Sequence, residues 1–301
     1  MSNYDDLFEN SPFAEAPASG VPPVQQYSKE EYAEVKRVER EEVFALSDAT
    51  ALKVAGDGEE FRAFLDLQSR LLRYSETNAL LIYAQNPNAS RLGSFDHWKN
   101  LNCFVKPGQT AMSILEPREY AREDGTAGTA FNVKKVFDIS QVDTRRLQDT
   151  PQPAYTERQL LGALVSNAPV AIKSVDELPH ELGARYDPQT DSISVLKGMS
   201  FGDIFRSLTQ ELALSELTAG PDVQKDPSFS AYCAAYLLCK QREVDCGGFD
   251  FDFAPEIFED MSALEVKGEL SRIRDTAGSI SGRMARELPA QSRPAITQDA
   301  R

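Results

Sequence analysis

Two histidines, His97 and His180, set an early limit on what this chain can do chemically. A Ser-His-Asp or Cys-His site needs one of them as its base, with partners that lie elsewhere in the fold, and is the minor reading. His97 stands beside Trp98 and reads as a packing or hydrogen-bonding residue. The four cysteines, Cys103, Cys233, Cys239 and Cys246, contain no C-x-x-C pair of the kind that holds zinc. Cys233 and Cys239 read as small buried apolar residues on a helix. There is no glycine-rich phosphate loop, and Gly247-Gly248 reads as a turn. What remains is a collection of cations and rings in one segment: Arg62, Arg70, Arg73, Arg91, Lys99, Lys106, Lys134 and Lys135, interleaved with Tyr74, Tyr83, Trp98, Phe104 and Phe131. A single DNA strand needs cations for its phosphates and ring faces for its bases. The competing reading is that most of these rings fill the core of a small domain. Trp98 and Phe137 fit core packing more readily than base stacking, and Asn78 fits a helix cap or brace as well as a DNA contact.

Charge points to the same segment. The chain holds 47 acidic and 32 basic side chains, a net charge of −15, which argues against a general attraction to nucleic acid. By segment, residues 1–60 carry 14 acidic and 5 basic side chains, residues 61–140 carry 8 and 10, and residues 151–301 carry 23 and 15. Residues 61–140 therefore form a mildly basic stretch between acidic flanks. At 41% apolar residues the composition is that of a globular protein. No run approaches the roughly 20 apolar residues of a membrane-spanning helix, so no membrane partner is expected. The acidic, proline-bearing start is the opposite of a secretory signal, and four irregularly spaced cysteines make no disulfide framework. The expectation is a soluble, cytoplasmic protein.

The elements that must position these residues follow from periodicity and caps. Residues 1–27, with Pro12, Pro17, Pro22 and Pro23, read as a disordered acidic tail. Ser28 and Glu31 form a capping box for a charged helix reaching about Leu46. An amphipathic helix is expected over Glu59–Tyr74, a shorter buried one over Thr77–Gln85, and a short one over Phe95–Leu101. Strands are expected at Thr110–Leu115 and Thr129–Ile139, joined through Glu123-Asp124-Gly125. Gln148–Pro153 reads as a linker. Beyond it come a helix over Thr156–Ser166 and strands at Val170–Lys173 and Ser192–Leu196, with Tyr186-Asp187-Pro188 as a turn between them. Helices follow over Phe201–Leu217, Ser228–Arg242 and, with a break, Ala254–Glu287. The expected architecture is α+β: a helix-plus-hairpin domain with its leading helix over 28–147, a linker over 148–154, a mainly helical domain with a short sheet over 155–290, and a tail over 291–301.

The residues also carry a resemblance. Tyr74-Ser75-Glu76-Thr77-Asn78-Ala79-Leu80-Leu81-Ile82 is followed by Gln85-Asn86-Pro87, Phe95-Asp96-His97-Trp98, Val105-Lys106-Pro107-Gly108, Ile114-Leu115-Glu116-Pro117 and Val136-Phe137-Asp138-Ile139-Ser140-Gln141. That order and spacing resembles the N-terminal domain of ArdC-type antirestriction proteins, which is similar to that of the conjugative primase TraC. The resemblance implies single-stranded DNA binding and a place on conjugative or other mobile elements. Residues placed at the DNA, from the cation and ring candidates together with the resemblance, are Arg73, Tyr74, Asn78, Trp98, Lys99, Lys106, Lys134 and Lys135. Around the Val105–Gly108 turn, Cys103, Pro107 and Thr110 stand where that family tends to carry cations. Each lost cation removes about one counterion's worth of salt-dependent affinity, so binding is expected to be weak to moderate and salt-sensitive.

The same resemblance implies a zincin-like domain in the second half, whose helix in that family bears H-E-x-x-H. Histidines four apart share a helix face and bind zinc, and the glutamate works on the bound water. Here the corresponding stretch reads Gln210-Glu211-Leu212-Ala213-Leu214, and on the next helix Tyr232 stands at the third ligand position. Amide and isobutyl groups do not replace imidazole as tight zinc ligands. An unconventional site from Glu211, Glu216 and His180 is the disfavoured alternative. The expectation is therefore no metal, no cofactor and no catalysis: an inactive metallopeptidase homologue joined to a single-stranded-DNA-binding domain, of antirestriction type. The alternative is an acidic interaction module that binds a basic host or conjugation protein and has little affinity for DNA.

Overall fold

The structure is a computed structural model that describes residues 28–122, 125–147, 154–179, 182–219 and 226–288. The expected tails over 1–27 and 291–301, nearly all of the linker 148–154, His180 and the turn residues Glu123 and Asp124 lie outside the described residues. The chain divides into two units, 1–39 and 40–301. Of the first, the described part is the start of helix α1 (Lys29–Ala55). Its capping box is formed as expected: the Glu31 N–H donates to Ser28 Oγ at 3.2 Å, and the Ser28 N–H donates to Glu31 Oε2 at 2.8 Å. The helix runs nine residues past Leu46 because Ala51, Val54 and Ala55 continue an apolar stripe that is buried.

In the second unit, α2 (Gly58–Arg70) starts where the Asp57 carboxylate accepts from the Glu60 N–H. It buries Phe61, Phe64, Leu65 and Leu67. Ser75 caps α3 (Glu76–Gln85), whose Ala79, Leu80, Leu81 and Ile82 are all buried. Strand β1 (Leu92–Gly93), helix α4 (Phe95–Asn100) and strand β2 (Phe104–Val105) lead into the hairpin of β3 (Met112–Ala121) and β4 (Ala127–Asp138). The hairpin is longer than expected, with register running from Met112↔Val136 to Ala121↔Ala127. Pro117 does not end the strand because β3 is an edge strand, in the order β1-β4-β3. A short pairing of β2 with β5 (Val142–Asp143) closes this half.

The second half begins with α5 (Glu157–Val165), capped by the reciprocal bonds of Thr156 and Gln159. Strands β6 (Ala171–Val175), β7 (Ala184–Asp187) and β8 (Ser192–Leu196) form a sheet in the order β6-β8-β7, with β6 parallel and β7 antiparallel to β8. The sequence places a turn at Tyr186-Asp187-Pro188. The structure instead continues strand β7 to Asp187 and turns beyond it, where the Asp187 carboxylate accepts from the Gln189 N–H and Asp191 takes a φ of +46°. Helices α6 (Phe201–Thr218), α7 (Ser228–Gln241), α8 (Ala254–Ile257) and α9 (Ala263–Glu287) follow. The expected break between the last two falls at Ser262, whose capping box with Glu265 restarts the helix.

The class is α+β. The described residues of both halves contribute to one buried cluster: Phe61, Phe64 and Leu80 belong to it together with Phe205, Leu237 and Ile273. Among the described residues no helix is long and apolar enough to cross a membrane.

Candidate nucleic-acid interface

An edge strand offers unpaired N–H and C=O groups along its open side. Here helix α3 covers that side of β3. Asn78 Nδ2 donates to the Leu115 carbonyl at 2.8 Å, and the Leu115 N–H donates back to Asn78 Oδ1 at 2.8 Å. Two turns along the helix, Gln85 repeats the arrangement on Ser113, at 3.0 and 2.8 Å. Two side-chain amides thus take the place of a neighbouring strand and fix the hairpin against the helix.

That junction floors one side of a cleft of about 490 Å³ whose lining includes Arg73, Tyr74, Asn78, Gly93, His97 and Lys134. Four of the residues placed at DNA by the sequence, Arg73, Tyr74, Asn78 and Lys134, therefore meet in one concavity. The Arg73 guanidinium lies 5.2 Å from the Tyr74 ring centroid, a cation–π distance. Lys134 is held by an ion pair with Glu116 of the facing strand, and Glu116 also lines the cleft. On the far side β1 approaches α4 closely: a Cβ on Gly93 would stand 2.3 Å from His97 Cδ2 and 2.9 Å from Trp98 Nε1. The cleft thus presents a cation stacked on a ring, a second cation partly neutralised by a carboxylate, and an exposed imidazole.

The other placed residues do not join them. Trp98 is a correction: it has 0% exposure and forms a core with Cys103 and Val142. Its Nε1–H donates to the Phe137 carbonyl at 3.0 Å, and Arg91 lies over its ring at 5.6 Å. A ring without an accessible face is no platform for a base. Lys106 reaches the Ser140 carbonyl at 2.9 Å, and Lys135 reaches Ser113 Oγ at 2.8 Å. Lys99 is exposed on α4; none of the three lines the cleft. Arg62 donates to the Phe249 carbonyl and Arg70 to those of Ala89 and Pro87, so both serve the fold. Of the candidate rings, Tyr83 is buried with its hydroxyl on Glu60, while Phe104 and Phe131 are exposed.

Two further residues matter in this half of the chain, Asp138 to its fold and His97 to the cleft lining. Asp138 is 1% exposed. It accepts from the N–H groups of Ser90 and Arg91 at 2.8 and 3.0 Å, and of Ser140 at 2.9 Å. Burial alone would raise its pKa, but these donors outweigh it and hold the carboxyl below its ordinary value. The pattern Asp-Ile-Ser-Gln was a signal, since it is a capping box around a 3₁₀ turn over Ile139–Gln141. His97, read as a packing or hydrogen-bonding residue, meets the Trp98 ring edge-on at 5.2 Å and also lines the cleft, exposed.

In the second half, Gln210, Glu211 and Leu214 lie on α6 and Tyr232 on α7. Glu211 Oε2 accepts from the Tyr186 N–H at 2.7 Å, tying α6 to β7. Burial raises its pKa, with that N–H and Arg185 acting against the rise. Leu214 packs on the core. The Tyr232 hydroxyl accepts from the Asp250 N–H at 2.6 Å, with its ring among Phe249, Phe251 and Phe253. The Glu211, Leu214 and Tyr232 side chains are thus occupied with packing and with backbone.

Comparison with known proteins bears on residues 55–156, which match the family described as the N-terminal domain of anti-restriction factor ArdC. No curated protein matches the chain. Two crystal structures of the antirestriction protein ArdC from plasmid R388 are similar. The metal-free one is 15% identical, covers 71% of this chain and 86% of that one, and superposes with a TM-score of 0.46. The Mn(II)-bound one is 14% identical, covers 74% and 98%, and has a TM-score of 0.45. Over residues 55–156, then, the chain is similar to the N-terminal domain of ArdC-type antirestriction factors.

Proposed function

We propose that the protein is a non-catalytic accessory factor of a mobile genetic element, of antirestriction type, whose cleft between α3 and the β3–β4 hairpin takes single-stranded DNA in the cytoplasm. The observation that carries this reading is that Arg73, Tyr74 and Lys134, selected as DNA candidates by residue type, line one cleft within the segment matching the ArdC N-terminal family. Phosphates need the two cations and a base needs the Tyr74 ring. The Glu116–Lys134 ion pair must open or share for the second cation to engage, which favours weak to moderate, salt-sensitive binding. Competition between unlabelled single-stranded and duplex oligonucleotides for a labelled single strand tests it. Preference for the single strand supports the reading, and equal competition overturns it.

The second half we read as a zincin-like scaffold without its metal chemistry. An amide, an isobutyl group and a phenol that already accepts from a backbone N–H are a poor donor set for zinc. Glu211 lacks a metal-activated water to work on, and its carboxylate serves the Tyr186 N–H instead. The alternative, an acidic module for a host or conjugation protein, draws on the net charge of −15 and on the commitment of Arg62 and Arg70 to backbone carbonyls.

A further inference from the structure

A second cavity of about 650 Å³ lies away from the cleft. Its lining includes Arg70, Tyr155, Lys240, Gln241, Arg242 and Glu243. Three cations meet there, and Arg242 is unlike the rest. Its Nε is buried without a hydrogen-bond acceptor. Its one side-chain hydrogen bond among the described residues runs from Nη2 to Ser281 Oγ at the long distance of 3.5 Å. None of the ion pairs among the described residues includes it, although burial penalises its charge. Arg70 keeps two carbonyls through Nε and Nη2, and Lys240 is shared with Asp66 at 3.0 Å. The carboxylate on the lining, Glu243, is exposed. A half-buried guanidinium with no carboxylate partner among the described residues, beside two more cations, is a costly arrangement unless an anion completes it. A fork of N–H donors suits the oxygens of a phosphate. Tyr155, half-buried against the core, is on the same lining.

We propose that this cavity binds a phosphate carried by a nucleotide, either free or at the 5′ end of a DNA strand, with Arg242 as the principal phosphate ligand, Lys240 and Arg70 as supporting cations, and Tyr155 against the base. The site shares no residue with the α3–hairpin cleft, so it stands or falls apart from the function proposed above. The test is calorimetric titration of the full chain at low salt with inorganic phosphate, thymidine 5′-monophosphate and thymidine. The nucleotide is expected to bind, inorganic phosphate to compete with it, and thymidine to bind at least about tenfold more weakly, the worth of one charge-assisted contact. A short oligonucleotide bearing a 5′-phosphate, compared with its 5′-hydroxyl form, separates the two sources. Tighter binding of the former assigns the site to strand ends, and equal binding assigns it to free nucleotide. Arg242→Gln should weaken the nucleotide about tenfold, and Tyr155→Leu should weaken the nucleotide but leave inorganic phosphate unchanged. Equal binding of thymidine and its monophosphate, or no binding of either phosphate, overturns the proposal. So does a folded Arg242→Gln chain with unchanged affinity. If that variant does not fold, Lys240→Gln stands in for it under the same criterion.

Discussion

Asn78 and Leu115 exchange two hydrogen bonds, each 2.8 Å long, so that a helix side chain does for an edge strand what a neighbouring strand would do. The sequence around Asn78 therefore carries architecture first. Asn78→Ala leaves a strand N–H and C=O without partners, and an orphaned buried polar group costs about 1–3 kcal/mol. The variant should unfold at lower urea concentration in the absence of any DNA. Gln85→Ala should do the same to a lesser degree, because Ser113 is less buried than Leu115. An unchanged urea midpoint for Asn78→Ala would show that the clamp contributes nothing.

Asp138 gives the fold an acid limit. Its carboxyl is held below its ordinary value in the folded chain. A depressed folded-state pKa contributes stability that is present above the unfolded value and lost as pH falls through the folded one. The wild type should therefore lose stability below about pH 4, and Asp138→Asn should flatten part of that loss while lowering stability at pH 7 by about 2–3 kcal/mol. Urea unfolding of both chains at pH 7 and pH 3 measures this. Parallel losses in the two chains would contradict the assignment.

Trp98 is the chain's single tryptophan and has no exposed surface. Its fluorescence should peak at short wavelength, resist iodide, and stay constant when single-stranded DNA saturates the protein. Strong quenching by the oligonucleotide would return Trp98 to the interface.

Glu211 behaves oppositely to Asp138. Burial raises its pKa, so the folded state disfavours the carboxylate, and ionisation costs stability as pH rises past the unfolded value. Glu211→Gln keeps an acceptor for the Tyr186 N–H and removes the charge. It should cause no loss of stability at pH 7, and added zinc should not raise the melting temperature of either chain. A zinc-dependent rise in the wild type that Glu211→Gln abolishes would restore a metal site.

The helices were legible because caps and periodicity are local: Ser28-x-x-Glu31 and the apolar face of α2 each announce themselves in a few residues. Strand β7 was not, because Tyr186 and Asp187 look like turn residues until β8 and Glu211 supply partners from elsewhere in the chain. The site was half legible. Residue type marked Arg73, Tyr74 and Lys134 as DNA-facing, and all three line the cleft. The same criterion selected Trp98, whose burial depends on Cys103, Val142 and Phe137, and Lys106, whose amine reaches Ser140. Type and spacing do not record which face of an element a tertiary neighbour covers.

The central claim is that single-stranded DNA lies in the cleft bearing Arg73 and Lys134. The most direct measurement is fluorescence anisotropy of a labelled single-stranded oligonucleotide with wild type, Arg73→Glu/Lys134→Glu and Lys106→Glu, at low and at physiological salt. Reversing both cleft cations should abolish binding at either salt. Lys106→Glu, outside the cleft, should cost no more than the single long-range charge contact it removes, and wild-type affinity should fall steeply as salt rises. Binding that survives the double reversal, or that ignores salt, would contradict the account.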